Sequence, residues 1–227
     1  MYYDLHIHSC LSPCGDRDMT VNNIVHMAAL KGLELIALTD HNTAKNCPAF
    51  LQVAAAAGIR ALPGMELNTS EEIHTVCLFR KLENALAFDR YVYDRLPAIA
   101  NRPEIFGEQL LCDETDAVTG TVSKLLLSAA AISFAQLDSL METFGGIYFP
   151  SHIDRTSYSL LSSLGFVPEE NRFPAFELSE MTCYAELVSR NPYLAGIPCV
   201  HNSDAHYLWD ISEAEYSLDQ RLLELLL

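Results

Sequence analysis

The fold class is decided by the stretch Leu33-Glu34-Leu35-Ile36-Ala37-Leu38-Thr39-Asp40-His41. Residues 33–40 form a mainly apolar run that predicts a buried strand, and the run ends in polar side chains. A helix is predicted before it over residues 20–31, with Thr20 as the N-cap and Gly32 just past the end. A second helix follows the strand and ends near residue 58. This order of elements indicates an α/β protein.

The alternation of strands and helices continues along the chain. Further strands are predicted over residues 2–8, 59–67, 73–79, 146–152 and 198–203, with a weaker candidate over 175–178, and a helix is predicted over 84–100. Strands that alternate with helices indicate parallel pairing. Because roughly six or seven such units fit in one domain, the pattern favours a barrel over an open sheet. We expect residues 1–227 to form a single domain.

One segment interrupts this alternation. Residues 101–120 are acidic, and they lead into a helix-like run over residues 122–131. Two interpretations are open at this point. The segment is either a solvated surface excursion or an inserted cap, at about residues 101–135, over the mouth of the barrel.

Composition narrows the class of protein. Half of the residues are hydrophobic, which argues against a disordered chain. No apolar run reaches the roughly 18 residues of a membrane span, and the N-terminus lacks the features of a signal peptide, so we expect a cytoplasmic protein without a membrane partner. The seven cysteines form no CxxC pair, which argues against a disulfide scaffold or a structural zinc finger.

The net charge of the chain limits which nucleic acids are expected as partners. The chain has 30 acidic and 14 basic residues, a formal charge of −16. A surface that binds long nucleic acid through its phosphates is expected to be basic, so the sequence predicts no long duplex partner. Bound cations would invert the field locally. A nucleotide or a short oligonucleotide therefore stays among the expected partners.

Histidines and carboxylates are concentrated at the ends of the predicted strands. Six of the eight histidines lie there, with three carboxylates; the set is His6, His8, His41, His74, His152, His206, Asp40, Glu66 and Asp204. In a barrel of parallel strands the C-terminal ends converge on one face. Residues two apart in a strand point the same way, so His6 and His8 can chelate one ion. The ligand types suit zinc, iron or manganese, and their number predicts two or three divalent ions.

These motifs resemble those of the PHP (polymerase and histidinol phosphatase) family. The resemblance rests on Asp4-Leu5-His6-Ile7-His8-Ser9, Thr39-Asp40-His41-Asn42, Gly64-Met65-Glu66, His74, Ser151-His152 and Ser203-Asp204-Ala205-His206. It spans nearly the whole chain. It implies a distorted seven-stranded TIM-like βα barrel, a trinuclear metal centre and hydrolysis of phosphoesters.

The resemblance also implies a role for each residue. It implies a first metal held by His6, His8, Glu66 and Asp204, a second held by Glu66, His74 and His152, and a third held by His41 and His206. Asp40 is implied as an acceptor that orients a ligand. Family members commonly supply a further histidine or aspartate from the loop after the first strand. Here Asp16 is the preferred candidate for that position and Cys14 is the alternative.

The predicted reaction is hydrolysis of a small phosphomonoester or nucleotide by a metal-bridged hydroxide. Phosphate oxygens need a cation, and Arg155, three residues after His152, is the predicted bidentate clamp, with Arg17 as a weaker candidate. A surface arginine paired with Asp154 is the alternative interpretation of Arg155.

Two other functions compete with a phosphoesterase. Metal-dependent amidohydrolases also begin with a His-x-His strand, but they often bridge their metals with a modified lysine. Of the four lysines only Lys81 follows a predicted strand, and Glu66 already occupies a bridging position. The other alternative is a non-catalytic, metal-stabilised module that serves a nucleic-acid enzyme.

Overall fold

A mixed β-sheet with helices packed on it forms the protein, and the computed structural model describes all of residues 1–227. The strands are β1 (Tyr3–Ile7), β2 (Leu35–Leu38), β3 (Arg60–Asn68), β4 (His74–Phe79), β5 (Leu110–Cys112), β6 (Val118–Thr121), β7 (Gly146–Pro150), β8 (Phe176–Glu177) and β9 (Cys199–Val200). The helices are α1 (Val21–Leu30), α2 (Cys47–Ala57), α3 (Leu82–Tyr93), α4 (Pro103–Phe106), α5 (Leu137–Phe144), α6 (Leu160–Leu164), α7 (Tyr184–Arg190) and α8 (Gln220–Leu226). No helix has the length and apolar character that a membrane crossing requires.

The central sheet has the strand order β1-β2-β3-β4-β7. Strands β1, β2 and β3 are parallel, whereas β4 is antiparallel to both β3 and β7. The prediction of parallel pairing throughout is therefore wrong. Only five residues separate Asn68 from His74, and a parallel connection needs a crossover of a dozen or more. A short link of this kind produces an antiparallel hairpin.

No sheet is closed, so the structure does not show the predicted distorted seven-stranded barrel as a complete ring of strands. Strands β8 and β9 pair only with each other, in parallel. An isolated bridge joins Ile7 to Ala205, and the Ile153 N–H donates to the Glu177 carbonyl at 2.9 Å, so the small sheet lies between the two edges of the large one. Asp204 has a φ of +51°, which ends the extended backbone of the last predicted strand.

The two faces of the strands bury separate groups of apolar side chains. A cluster of 13 buried residues includes Leu62 of β3 and Leu78 of β4 and is completed by Leu222 of α8. A larger cluster of 44 residues packs the opposite faces against the surrounding helices. Alternation of side chains along the strands explains the division, except in β1, where the register shifts between Asp4 and Ile7 and Ile7 joins the larger cluster. The smaller cluster lies beneath the strand edge that carries the histidines.

The predicted ends agree with the structure for helix α1 but not for helix α3. Helix α1 is confirmed, since Thr20 is its N-cap and accepts from the Asn23 N–H, and Gly32 lies just past its end with a φ of +77°. Helix α3 ends at Tyr93, not near residue 100. Pro97 lies in that stretch, and proline restricts the residue before it to extended backbone.

The segment over residues 101–135 is packed on the loops at the strand ends. It contains α4 and the antiparallel β5–β6 hairpin, but residues 122–131 form no helix. The Leu110 N–H donates to the Cys10 carbonyl at 3.0 Å, and the Asn42 side-chain amide donates to the Leu126 carbonyl at 2.7 Å. Backbone groups over residues 122–131 are thus bonded to neighbouring loops. Leu126 is fully buried in the larger cluster.

Substitution of Gly64 tests the close approach of β3 to β4. A Cβ at this position would lie 2.6 Å from the Cys77 carbonyl oxygen, which is backbone and cannot move alone. We expect Gly64→Ala to lower the free energy of unfolding by about 1–3 kcal/mol, measured by urea denaturation. Gly196→Ala is the control, because nothing lies within 4 Å of its added Cβ. Equal stability of the two variants would contradict this view of the hairpin.

Candidate metal centre

The carboxylate of Glu66 is the centre of the predicted site, and it is fully buried. Five imidazole nitrogens surround it: His41 at 3.0 Å, His74 at 3.1 Å, His6 at 3.2 Å, His152 at 3.3 Å and His8 at 3.4 Å. Each histidine comes from a different strand end, apart from His6 and His8. The structure therefore brings these side chains to one point, as the strand-end pattern predicts.

The β3–β4 hairpin explains how Glu66 and His74 meet. Leu62 and Glu66 lie four residues apart on β3 and share a face, and Leu62 belongs to the smaller cluster beneath the site. Asn68 is paired with His74, so the antiparallel β4 begins at the edge where its parallel neighbours end. A histidine at the start of β4 is thereby equivalent in position to one at the end of a parallel strand.

The remaining ligand candidates complete three groups whose donor atoms lie within 4.8 Å of one another. The groups are His6, His8, Glu66 and Asp204; His41, Glu66 and His74; and His8, His41 and His206. Asp204 Oδ1 lies 3.1 Å from His8 Nε2 and 3.3 Å from His6 Nε2. His152 stands beside the second group through its contact with Glu66.

The hydrogen bonding of Glu66 tests whether these residues fit a cation. Both of its oxygens are buried and neither has a hydrogen-bond partner, and the same is true of His41 Nδ1 and His152 Nδ1. A buried polar atom without a partner is destabilising, more so when it is charged. The contacts of about 3 Å are thus close approaches of polar atoms without hydrogen-bond geometry. Divalent cations between those atoms would satisfy all of them.

The tautomers of His6 and His8 lead to the same conclusion. His6 Nδ1 lies 3.1 Å from both oxygens of Glu177, so it carries a proton and leaves Nε2 free. His8 Nδ1 lies 2.9 Å from Ser12 Oγ, whose own proton goes to Asp40 Oδ1 at 2.7 Å. The two Nε2 atoms are only 3.2 Å apart. Two bare lone pairs at that distance repel, so this pair needs either a shared proton or a metal ion between the two nitrogens.

The surroundings of His6 and His8 shift their pKa values in opposite directions. Burial lowers the pKa of His6, but the carboxylates of Glu177, Glu66 and Asp204 outweigh burial and raise it well above its usual value. Burial, with the neighbouring imidazoles of His206 and His41, holds the pKa of His8 well below its usual value. His8 is therefore neutral at pH 7, which is the form that binds metals.

The carboxylates stay ionised in spite of their burial. Burial raises the pKa of Glu66, but the imidazoles of His74 and His6 reverse this and bring it well below the usual range. Asp204 behaves in the same way, because the charge on His6 and a hydrogen bond from His8 outweigh burial in setting its pKa. Anionic oxygens at the centre favour a cation.

Glu177 is a functional candidate that the sequence analysis missed. It is buried, and besides His6 it accepts from the His152 N–H at 3.0 Å and from the Asn202 side-chain amide at 2.6 Å. It therefore fixes one predicted ligand and the backbone of another. The available signal was a lone carboxylate inside the apolar stretch Ala175-Phe176-Glu177-Leu178.

Asp40 lies next to the ligands but does not face the centre. It accepts from the Ser9 N–H and the Ser9 and Ser12 hydroxyls, each at 2.7 Å. Ser12 contacts His8 and accepts from the His41 N–H at 3.1 Å. Asp40 therefore acts on His8 and His41 through Ser12.

A cavity of about 150 Å3 opens onto the centre. It is lined by His41, Glu66, His74, His152, Arg155, Ser157, Tyr158, Asp204 and His206. Arg155 Nη1 contacts Asp204 Oδ2 at 2.5 Å and Nε donates to Ser179 Oγ at 2.9 Å. Tyr158, which the sequence analysis also missed, stacks on His74 with ring centroids 4.9 Å apart.

The contacts of Arg155 differ from those of the alternative interpretation. Asp154 instead accepts from the Ser179 N–H at 2.8 Å and the Glu180 N–H at 2.9 Å, so the alternative pair of Arg155 with Asp154 is absent. Arg17, the weaker candidate, pairs with Glu108 at 2.9 Å and is 78% exposed. Arg155 is thus the arginine that lies at the cavity.

The loop after β1 does not bring Asp16 to any of the three groups. Its Oδ1 accepts from the Asp18 N–H at 2.8 Å, and its own N–H donates to the His206 carbonyl at 2.9 Å. Cys14 is exposed by its accessible area, but loss of hydration at sulfur and the charge of Glu66 raise its pKa to about 12. Cys14, like Asp16, belongs to none of the three groups of donor atoms.

Comparison with known sequences identifies the family. The sequence model of the PHP domain matches residues 4–163, which is well over half of the chain. The chain belongs to the PHP family. The resemblance noted in the strand-end motifs is confirmed. No curated protein matches the sequence.

Several solved structures share the PHP fold of this chain. The lesion-specific endonuclease EndoQ from Pyrococcus furiosus has a TM-score of 0.67 and 19% identity, over 91% of this chain and 48% of that one. A putative metal-dependent phosphoesterase from Bifidobacterium adolescentis has a TM-score of 0.66 and 14% identity, over 98% and 94%. An amidohydrolase from Chromobacterium violaceum with bound sulfate has a TM-score of 0.64 and 19% identity, over 99% and 96%.

A further solved structure corrects the prediction that the protein has no long duplex partner. Endonuclease Q in complex with a 27-mer duplex, with an abasic lesion at its active site, matches with a TM-score of 0.62 and 19% identity. The match covers 91% of this PHP chain and 49% of that one, so this chain spans about half the length of the endonuclease. The exclusion of long duplex partners is wrong. It relied on net charge, which sums the whole surface, whereas a substrate responds to the field at the site.

The role of Glu177 is tested through metal affinity. Glu177→Gln keeps the shape of the side chain but removes the charge that holds the Nδ1 proton of His6. We expect the affinity for a divalent metal to fall by about 10–100-fold, measured by competition with a chromophoric chelator. Glu180→Gln is the matched control, because Glu180 is exposed. Unchanged affinity in Glu177→Gln would contradict the orienting role.

Proposed function

We propose that this PHP protein is a metal-dependent phosphoesterase that hydrolyses small phosphomonoesters. The observation that carries the proposal is the environment of Glu66, whose two unpartnered oxygens are enclosed by five imidazoles, next to a cavity lined by Arg155. Anionic and neutral ligands together suit transition metals. An arginine at the same cavity suits a phosphoryl group, whose oxygens it can bind in pairs.

The ligand assignment matches the first and third groups of donor atoms, and in the second it takes His152, which contacts Glu66, in place of His41. His6, His8, Glu66 and Asp204 would hold the first ion, and Glu66 with His74 and His152 the second. His41 and His206 would hold the third, with His8 close enough to take part. Two or three ions of zinc, manganese or iron are expected. Asp16 and Cys14 fall outside this proposal.

The bound ions would supply two things, an acidified water as nucleophile and charge stabilisation on the phosphoryl oxygens. The protein does the rest. Glu177 and the Asp40–Ser12 pair hold the Nδ1 protons of His6 and His8, so that both rings present Nε2 to the centre. The buried setting of Glu66 excludes bulk water, which strengthens every charge interaction at the centre.

Arg155 would bind the phosphoryl group. Its side chain is 43% exposed, and its guanidinium lies at the cavity and is anchored by Ser179 and Asp204. The contact with Asp204 keeps the side chain oriented toward the centre before substrate arrives. Such preorganised cations stabilise charge that develops on phosphate oxygens in the transition state.

The amidohydrolase alternative lacks its bridging lysine. None of the four lysines lines the cavity. Lys45 pairs with Asp89, Lys124 donates to the Tyr93 and Leu96 carbonyls, and Lys31 donates to the Trp209 carbonyl. A purely structural role for the metals, as in a non-catalytic module, gives no reason for Arg155 to line the cavity.

Hydrolysis of p-nitrophenyl phosphate, with manganese, iron and zinc supplied separately, tests the proposal. Glu66→Gln should lose at least one bound ion per chain by elemental analysis and should lose turnover, because one side chain serves two ions. Glu83→Gln, on the exposed surface of α3, should match the wild type. A panel of amides measures amidohydrolase activity, and bis(p-nitrophenyl) phosphate measures phosphodiesterase activity. Activity on amides alone would reject the phosphoesterase assignment.

Arg155→Ala tests the phosphate clamp. We expect kcat/KM to fall by an amount equal to about 2–4 kcal/mol of transition-state stabilisation, with metal content unchanged. Arg190→Ala is the control, since Arg190 pairs only with Glu186 on the surface of α7. Wild-type kinetics in Arg155→Ala would place the clamp elsewhere.

A further inference from the structure

Two cavities adjoin at Arg155. The inner cavity is the one at the metal centre, and the outer cavity has a volume of about 360 Å3. Arg155 lines both. The chain segment Ser203–Asp204 also divides them, with Ser203 lining the outer cavity and Asp204 the inner one. A molecule bound to Arg155 at the metal centre therefore lies next to the outer cavity.

The sizes of the two cavities suggest a division of the substrate. Sites for small molecules usually measure about 300–1,000 Å3, and the inner cavity, at about 150 Å3, falls below this range. It has room for a phosphoryl group with little attached. The alcohol part of a phosphomonoester must then extend out of the inner cavity, and the outer cavity beside Arg155 has the volume of a small-molecule site, about 360 Å3.

The outer cavity has a stacking surface. Trp209 lines it and is 81% exposed, although tryptophan is usually well buried. Its backbone is held in place, because Lys31 Nζ donates to the carbonyls of Trp209 and Ile211 and pairs with Glu213 at 3.0 Å. An indole on a fixed turn offers a flat face to a planar ring.

The polar groups of the outer cavity select uncharged hydrogen-bond donors. Three carboxylates line it, those of Asp210, Glu213 and Glu215, and its two cations are Lys31 and Arg155. Lys31 is engaged with two backbone carbonyls and Glu213, so it pairs with neither the Asp210 nor the Glu215 carboxylate. Carboxylates accept hydrogen bonds but cannot donate them, so they suit hydroxyl groups. A second phosphate here would be repelled.

We propose that the outer cavity binds a nucleoside as the alcohol part of the substrate, with its base on Trp209 and its sugar hydroxyls toward the carboxylates. The inference rests on the proposed function, since it assigns the substrate class of the same centre. It makes the substrate a nucleoside monophosphate and disfavours nucleotides that carry a second phosphate on the sugar.

Trp209 is the single tryptophan of the chain, so its fluorescence reports on this cavity alone. Adenosine is the probe, because it has the base and the sugar but no phosphate and is not consumed. Titration into the metal-loaded protein should quench the indole emission in a saturable way, whereas ribose should leave it unchanged. Absence of quenching by adenosine would overturn the proposal.

Kinetics supply a second measurement. Trp209→Ala should lower kcat/KM for adenosine 5′-monophosphate by about tenfold or more, mainly through KM, and should leave ribose 5-phosphate unaffected. Phe166→Ala is the control, an exposed aromatic that lines neither cavity. Adenosine 3′,5′-bisphosphate should be a poorer substrate than the monophosphate. An equal loss for both monophosphates in Trp209→Ala would overturn the nucleoside assignment.

The two proposals fail in different ways. If the wild-type protein hydrolyses ribose 5-phosphate and adenosine 5′-monophosphate equally well, the phosphoesterase stands and the nucleoside site falls. If it hydrolyses no phosphomonoester while adenosine still quenches Trp209, the phosphoesterase proposal falls and a nucleoside site remains.

Discussion

The structure depends on one buried charge, the carboxylate of Glu66. Transfer of an ionised carboxylate into a protein interior is strongly unfavourable unless cations or donors surround it. Here five imidazoles approach within 3.4 Å, and none donates a hydrogen bond to it. The buried Glu66 carboxylate is therefore stable only with positive charge beside it. The fold has to hold several strand ends at fixed positions around this carboxylate.

The β3–β4 hairpin is how the sheet meets this requirement. A parallel strand after β3 would bring its C-terminal end to the site, and a long crossover would be needed to reach it. The antiparallel β4 brings its first residue, His74, to the same edge after a five-residue link. The smaller apolar cluster, which includes Leu62 and Leu78, packs beneath the site, on the strand face that Leu62 shares with Glu66.

A further layer of residues sets the protonation of the ligands. Glu177 holds the Nδ1 proton of His6, and Ser12, itself oriented by Asp40, accepts that of His8. The pKa of His6 is raised and that of His8 is lowered, so neighbouring rings of the same motif differ in charge when no cation is bound. Metal binding and proton release at this centre are therefore coupled.

The sequence by itself determined the α/β class, the family and the set of strand-end histidines, because strand alternation and ligand spacing are local properties. It did not determine the direction of β4, the open sheet or the contacts of Glu177, which lies 171 residues from His6 and on a strand of two residues. Asp16 was preferred because the resembling family commonly uses a carboxylate in this loop, but its Oδ1 accepts a hydrogen bond from the Asp18 N–H and it joins none of the three groups. Net charge misjudged the possible partners, since only the tertiary structure decides which charges share a site. Long-range pairing and local turns depend on packing between distant segments, and no spacing rule contains that information.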